Sequence, residues 1–117
     1  MKSVLIVDDS RVSRRMLRNM LESVGFSVAG EAINGKEGFE LYKKLSPDVV
    51  TMDITMPEMN GIDSLKLMKE YDPDAKVIII TAAGQNEKRA EAEENGADAF
   101  VTKPYDNKEI IDTINSI

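Results

Sequence analysis

The chain of 117 residues contains no cysteine, no histidine and no tryptophan. The first absence excludes disulfides, thiol nucleophiles and thiolate metal sites. The second excludes imidazole as a base, a metal ligand or a phosphoryl carrier, so any phosphohistidine in this protein's chemistry must come from another molecule. No apolar run approaches the roughly 20 residues of a membrane-spanning helix, and no membrane insertion is expected. The opening MKSVLIVDD turns acidic too soon for a secretory signal, and the expected address is the cytoplasm. Positive charge is not in excess either. The formal net charge is −6, which disfavours direct nucleic-acid binding, because such affinity rests on lysine and arginine neutralising phosphates. Arg11, Arg14, Arg15 and Arg18 do cluster, but at helical spacing they read as a solvated face or a partner patch.

What remains is an ordinary globular composition. Apolar residues make up 42% and charged residues 31%, enough for one core beneath a charged surface. The length fits one domain, residues 1–117. There is no repeat, no low-complexity tract and no Gly/Ser linker. Short β-like runs alternate with helix-period segments, and the predicted strands are residues 3–7, 27–31, 49–53, 76–81 and 99–102. The first, third and fourth are nearly continuous apolar runs, as expected of strands buried on both faces. Their alternation with helices implies right-handed βαβ crossovers.

Met16, Leu17, Met20, Leu21 and Val24 form the apolar stripe of a first helix, opened by Ser10 and stopped at Gly25. Asn34 with Glu37, and Asp106 with Glu109, have the spacing of capping pairs. The second pair opens a last helix whose core face carries Ile110, Ile114 and Ile117. Residues 85–95 differ from the rest, offering only Ala90 and Ala92 as apolar anchors. A helix this polar is either lightly docked or covered by a partner.

The chemistry gathers at the strand ends. Asp8 and Asp9 close VLIVDD, Asp53 closes DVVTMD, Thr81 follows VIII and Lys103 ends AFVTK. In an open parallel α/β sheet these ends converge on one crevice. Each residue alone has a plain reading, since aspartates cap turns, threonine finishes strands and a lysine before Pro104 lies in solvent. Together they suggest a hard cation beside a phosphoryl group. Three crowded carboxylates are unfavourable without a cation, and Mg2+, typically held by one or two carboxylates plus phosphate, fits. A carboxylate ending a buried strand, such as Asp53, can act as a nucleophile and form an aspartyl phosphate. The Thr81 hydroxyl would then face a phosphoryl oxygen, and the compact charge of Lys103 suits phosphate contact.

The segments VLIVDDS, NGKEG, PDVVTMDITMPEMNG, VIIITA and GADAFVTKP resemble, over the whole chain, a response-regulator receiver domain, most of all the stand-alone chemotaxis (CheY-like) type. The resemblance implies an α/β fold of the flavodoxin-like (βα)5 kind, a three-layer sandwich around a five-stranded parallel sheet of order 2-1-3-4-5. It implies Asp53 as the phosphorylation site, with Asp8, Asp9, Asp53 and the backbone carbonyl of Thr55 as Mg2+ ligands. Thr81 and Lys103 join Asp53 as catalytic groups that receive the phosphoryl oxygens. Phe100 falls at the aromatic switch position, coupled to Thr81, and the Lys103–Pro104 bond is expected to be cis.

The implied partners are a histidine kinase or phosphotransfer protein and a downstream protein target on the face of the fourth helix, fifth strand and fifth helix. The implied protein catalyses its own phosphorylation and dephosphorylation without being a multiple-turnover enzyme. It is expected to be monomeric at rest, with dimerisation open on phosphorylation. A receiver belonging to a larger regulator, with a DNA-binding or enzymatic output domain, stays open as the alternative. Two other chemistries fit less well. Phosphatases of the aspartyl-nucleophile class resemble DxD, but Thr55 stands where the second aspartate would be. A flavin carrier needs a Ser/Thr/Gly-rich phosphate loop after the first strand, where DDSRVS would repel phosphate unless a metal intervened.

Overall fold

The alternating pattern becomes five successive βα units in the computed structural model, which describes residues 2–54, 56 and 59–117. The elements are β1 (Ser3–Val7), α1 (Arg11–Ser23), β2 (Ser27–Ala32), α2 (Gly35–Leu45), β3 (Val49–Asp53), α3 (Gly61–Tyr71), β4 (Val77–Ala82), α4 (Asn86–Glu94), β5 (Ala99–Lys103) and α5 (Asn107–Ser116). The strands form one sheet in the order β2-β1-β3-β4-β5, every neighbouring pair parallel. This is the flavodoxin-like architecture expected above. Thr55 and Pro57 lie outside the described residues.

Period-two alternation divides the strands between two cores. Leu5, Val7, Val50, Met52, Val77 and Ile79 pack against Tyr42 of α2, Ile62, Leu65 and Met68 of α3, and Ala92 of α4. Val4, Ile6, Val49, Ile78, Ile80 and Val101 pack against Leu17 and Leu21 of α1, and Ile110 and Ile114 of α5. Both faces of the sheet are therefore covered, which explains why these strands read as continuous apolar runs.

Helix starts follow the capping chemistry. Side chains of Ser10, Asn34, Asn60 and Asp106 accept from the backbone N–H of Ser13, Glu37, Asp63 and Glu109, at 3.2, 2.8, 3.0 and 2.8 Å. Glu37 closes its box one residue early, accepting from the N–H of Ile33 at 3.2 Å. Gly25, at φ +94°, follows the C-cap Val24 and takes the left-handed turn that ends α1.

Several sequence expectations need correction. Met16 and Val24 are 68% and 49% exposed, while Leu17 and Leu21 are buried and Met20 is half-buried. Met16 stands about 100° around the helix from Leu17, and Val24 lies beyond the last helical residue. Both therefore sit on the edge of the stripe. Strands β2 and β5 run one residue longer than their apolar patterns, and β4 starts and ends one residue later. Ala82 pairs with Lys103, because ladder bonds use the backbone and ignore side-chain polarity.

Helix α4 docks through Ala92 while Ala90 is exposed. No side chain caps its first turn, because the Gln85 amide oxygen accepts instead from the N–H of Ala82 at 2.9 Å. Arg89 is a further attachment of α4 to the sheet, its guanidinium lying 4.7 Å above the Phe100 ring. Few buried contacts mean a low local opening free energy. Native-state amide exchange should therefore find residues 89–94 exchanging well before residues 17–21 of α1, and equal protection of the two helices would contradict this account.

Candidate functional site

Strand register places the acids. Val7 of β1 pairs with Met52 of β3, so the next residues, Asp8 and Asp53, stand level at the carboxyl ends of adjacent strands. One carboxylate oxygen from each of Asp8, Asp9 and Asp53 lies within 4.8 Å of the others. Lys103 must come from farther away. Strand β5 is two places from β3, about 10 Å at ordinary strand spacing, and the lysine stem crosses the end of β4 to cover it. Its Nζ lies 3.1 Å from Asp53 Oδ2 and 3.9 Å from Asp8 Oδ2. Thr81 is buried at the end of the intervening strand, paired with Thr102.

The electrostatics follow from burial and crowding. The Asp8 side chain is only 10% exposed. Burial pushes its carboxyl above the ordinary value of 3.8; the Ser10 N–H and Lys103 pull it back, and the charges of Asp53 and Asp9 add to the rise. Burial pulls the Lys103 ammonium down, but the hydrogen bond to Asp53 and the charges of Asp53 and Asp8 outweigh it, and the net shift is upward. Tyr105 borders the site, its phenol pushed above 10.0 first by burial, with Lys103 opposing and the two acids reinforcing. A set of carboxylate oxygens with no soft donor is the chemistry of a hard divalent cation such as Mg2+. The residues present fit that ion.

Two close approaches hold Met59 and the start of α3 near the end of β3 and the start of α2. The Gly61 N–H donates to Ile54 O at 2.8 Å, and a Cβ at Gly61 would overlap the carbonyl oxygen of Asp53. The Gly35 N–H donates to Met59 O at 2.9 Å, and Ser64 Oγ donates to Gly35 O at 2.7 Å. The sequence signal of Asn60 and Gly61 is that of a turn. The tertiary requirement is that the start of α3 touches the backbone bearing Asp53.

Asp8, Asp9, Asp53 and Lys103 are thus brought together, with Thr81 at the strand end between them. Thr55 lies outside the described residues. Phe100 is half-buried against the α2–α3–α4 core, its Lys103–Pro104 neighbour is cis, and strand alternation assigns Phe100 and Thr81 to the same sheet face. Two groups at the site have no clear sequence signal. Tyr105 is hidden by its place in a loop. Arg14 is lost among four similar arginines, yet its Nη1 donates to Asp8 O at 2.8 Å. The four arginines expected on a solvated face or partner patch divide in two: Arg11 and Arg15 are exposed, while Arg14 and Arg18 bind Glu31.

Residues 4–115 match the family described as response regulator receiver domain. The chain is 48% identical over 116 residues to the chemotaxis protein CheY of Thermotoga maritima, covering 99% of this chain and 97% of that protein. Against the chemotaxis protein CheY of Bacillus subtilis it is 45% identical over 112 residues, covering 96% and 93%. Among solved structures it is similar to a chain of the CheX–CheY–BeF3–Mg complex from Borrelia burgdorferi, with TM-score 0.93 and 37% identity, covering 98% of this chain and 87% of that one. It also matches the chemotaxis protein CheY4 of Vibrio cholerae, with TM-score 0.91 and 28% identity, covering 100% and 98%.

A carboxyl raised by folding stabilises the fold only while protonated. For Asp8 that contribution is complete below 3.8 and is lost as pH rises through the raised value. Metal-free Asp8→Asn should therefore be more stable than wild type at neutral pH, on the order of 1 kcal/mol or a few degrees in Tm. The gain should shrink as pH falls, and a lower neutral Tm for the variant counts against the crowding argument. Gly61→Ala should cost roughly 1–3 kcal/mol from forced overlap and shift the Asp53 amide resonance. A variant of unchanged Tm would show that the contact yields easily.

Proposed function

The chain belongs to the response regulator receiver domain family, and from that premise we propose that it accepts a phosphoryl group onto Asp53 from the phosphohistidine of a partner kinase or phosphotransfer protein. The observation that carries this reading is the juxtaposition of three acid oxygens within 4.8 Å of one another and a lysine ammonium 3.1 Å from Asp53. Asp8, Asp9 and Asp53, with the backbone carbonyl of Thr55, would hold Mg2+, the ion named with the Borrelia relative. When bound, the ion supplies neutralising charge as the anionic group arrives.

The work of this chain's own residues is positioning and charge compensation, the main sources of catalysis in phosphoryl transfer. An Asp53 carboxylate oxygen attacks phosphorus in line, the new P–O bond forming as the donor's P–N bond breaks. The Lys103 ammonium, already beside that carboxylate, passes to a phosphoryl oxygen, and the Thr81 hydroxyl donates to another. Hydrolysis reverses the gain, as water attacks phosphorus and Asp53 leaves as a free carboxylate. The protein ends as it began, without turning over an external substrate. Thr81 drawn toward the phosphoryl group vacates space on the face it shares with Phe100, favouring an inward ring. The lightly docked α4 makes that a small two-state shift. The output target then reads the α4–β5–α5 face.

Residues 1–117 form one receiver unit in this reading, monomeric at rest and acting in the cytoplasm. Among the described residues no helix is long and apolar enough to cross a membrane. Exposure to acetyl phosphate with Mg2+, followed by intact mass, should add one phosphoryl group to wild type and none to Asp53→Asn. Lys103→Ala should be slowed by about 10²-fold or more, the scale of losing one charge-stabilising donor. A wild type that gains no mass, and shows no NMR response to beryllofluoride with Mg2+, overturns the reading.

A further inference from the structure

Asp8 is held at every polar atom. Its N–H donates to Ala32 O at 3.1 Å, its Oδ1 accepts from the Ser10 N–H at 2.9 Å, and its Oδ2 faces Lys103. Its carbonyl oxygen accepts from Arg14 Nη1 at 2.8 Å. That last contact comes from a side chain only 12% exposed, whose Nε donates to Glu31 Oε1 at 3.2 Å. Glu31 is gripped again by Arg18 Nη1 at 2.7 Å, and first Arg18, then Arg14, against the opposing effect of burial, hold its carboxyl below the ordinary range. The guanidinium of Arg14 thus ties Glu31 of β2 to the backbone carbonyl of Asp8, using its fork in two directions as lysine cannot.

The Asp8 carbonyl lies in the rigid peptide plane that leads to Asp9. Pinning it fixes where Asp9, the exposed member of the acid pair, projects its carboxylate. Resting on the phosphoacceptor reading above, we propose that Arg14, anchored by Glu31, is a positioning residue that orients the Asp8–Asp9 peptide and so sets the affinity of the acid pair for its divalent cation. The competing account makes Arg14 only a staple between α1 and β2. A further competing effect is bare charge, which acts with the opposite sign: removing a cation near a metal site tightens metal binding, whereas removing the clamp loosens it.

The test is Mg2+ titration of the phosphate-free full chain, followed by amide chemical shifts or calorimetry, with metal-free Tm measured on the same samples. Arg14→Gln should retain the amide spectrum of a folded protein and lose about tenfold in Mg2+ affinity, the scale of losing an outer-shell support. Arg15→Gln, an equal change of charge on the exposed side of α1, should bind Mg2+ as wild type does or slightly more tightly. Arg14→Lys keeps the charge but loses the fork, so it should fall between; should the glutamine variant fail to fold, the lysine variant's loss of affinity decides. Arg14 variants that bind Mg2+ as tightly as wild type, or more tightly, overturn the proposal and leave Arg14 a staple. A wild type that binds no Mg2+ overturns the phosphoacceptor reading itself, and the proposal with it.

Discussion

Three carboxylates share a space in which their oxygens lie within 4.8 Å of one another, and the rest of this end of the molecule answers to their repulsion. Burial disfavours the ionised state of Asp8, and the nearby charges of Asp53 and Asp9 add to that effect. Lys103 relieves part of it by reaching across β4 to Asp53 and Asp8. One ammonium cannot neutralise three acids, so a strong demand for further positive charge is built into the crevice. A divalent cation would answer that demand, and in the proposed reading it would make room for an anionic group that the acids alone would reject.

In the proposed reading, the sheet would separate the place where charge accumulates from the surface where it is read. Alternation along the strands sets Asp8, Asp53 and Lys103 toward the layer of α1 and α5, and Thr81 and Phe100 toward the layer of α2, α3 and α4. Thr81, at the end of the strand between Asp53 and Lys103, is the point at which the two sides meet. Arg89 lies over the Phe100 ring, so the weakly anchored α4 is attached to the very residue whose packing would change. Such a stacked cation contributes on the order of 1 kcal/mol, enough to bias a two-state element and too little to lock it.

Legibility in the sequence divides along a physical line. Element types are readable, because apolar periodicity and capping residues are local: Ser10, Asn34 and Asp106 start helices where their spacing says they should. Strand ends are readable to within a residue, and the strand order through family resemblance. The buried side of α1 is less so, since five apolar residues describe a wider arc than the sheet can cover, and Met16 is left outside. The four arginines of α1 are alike in sequence, and what separates Arg14 from Arg15 is the presence of Glu31 and the Asp8 carbonyl on one side of the helix.

By itself the sequence determines that this chain has strand-end acids, a strand-end lysine and no histidine of its own, because residue identity and local period are written in order along the chain. Only the tertiary structure decides that Lys103 reaches Asp53 from two strands away, that Gly61 must lack a side chain to clear the Asp53 carbonyl, and that Arg14 is bound inward. Those facts depend on strand order, register and the angle at which helices lie on the sheet, which are properties of contacts between distant segments.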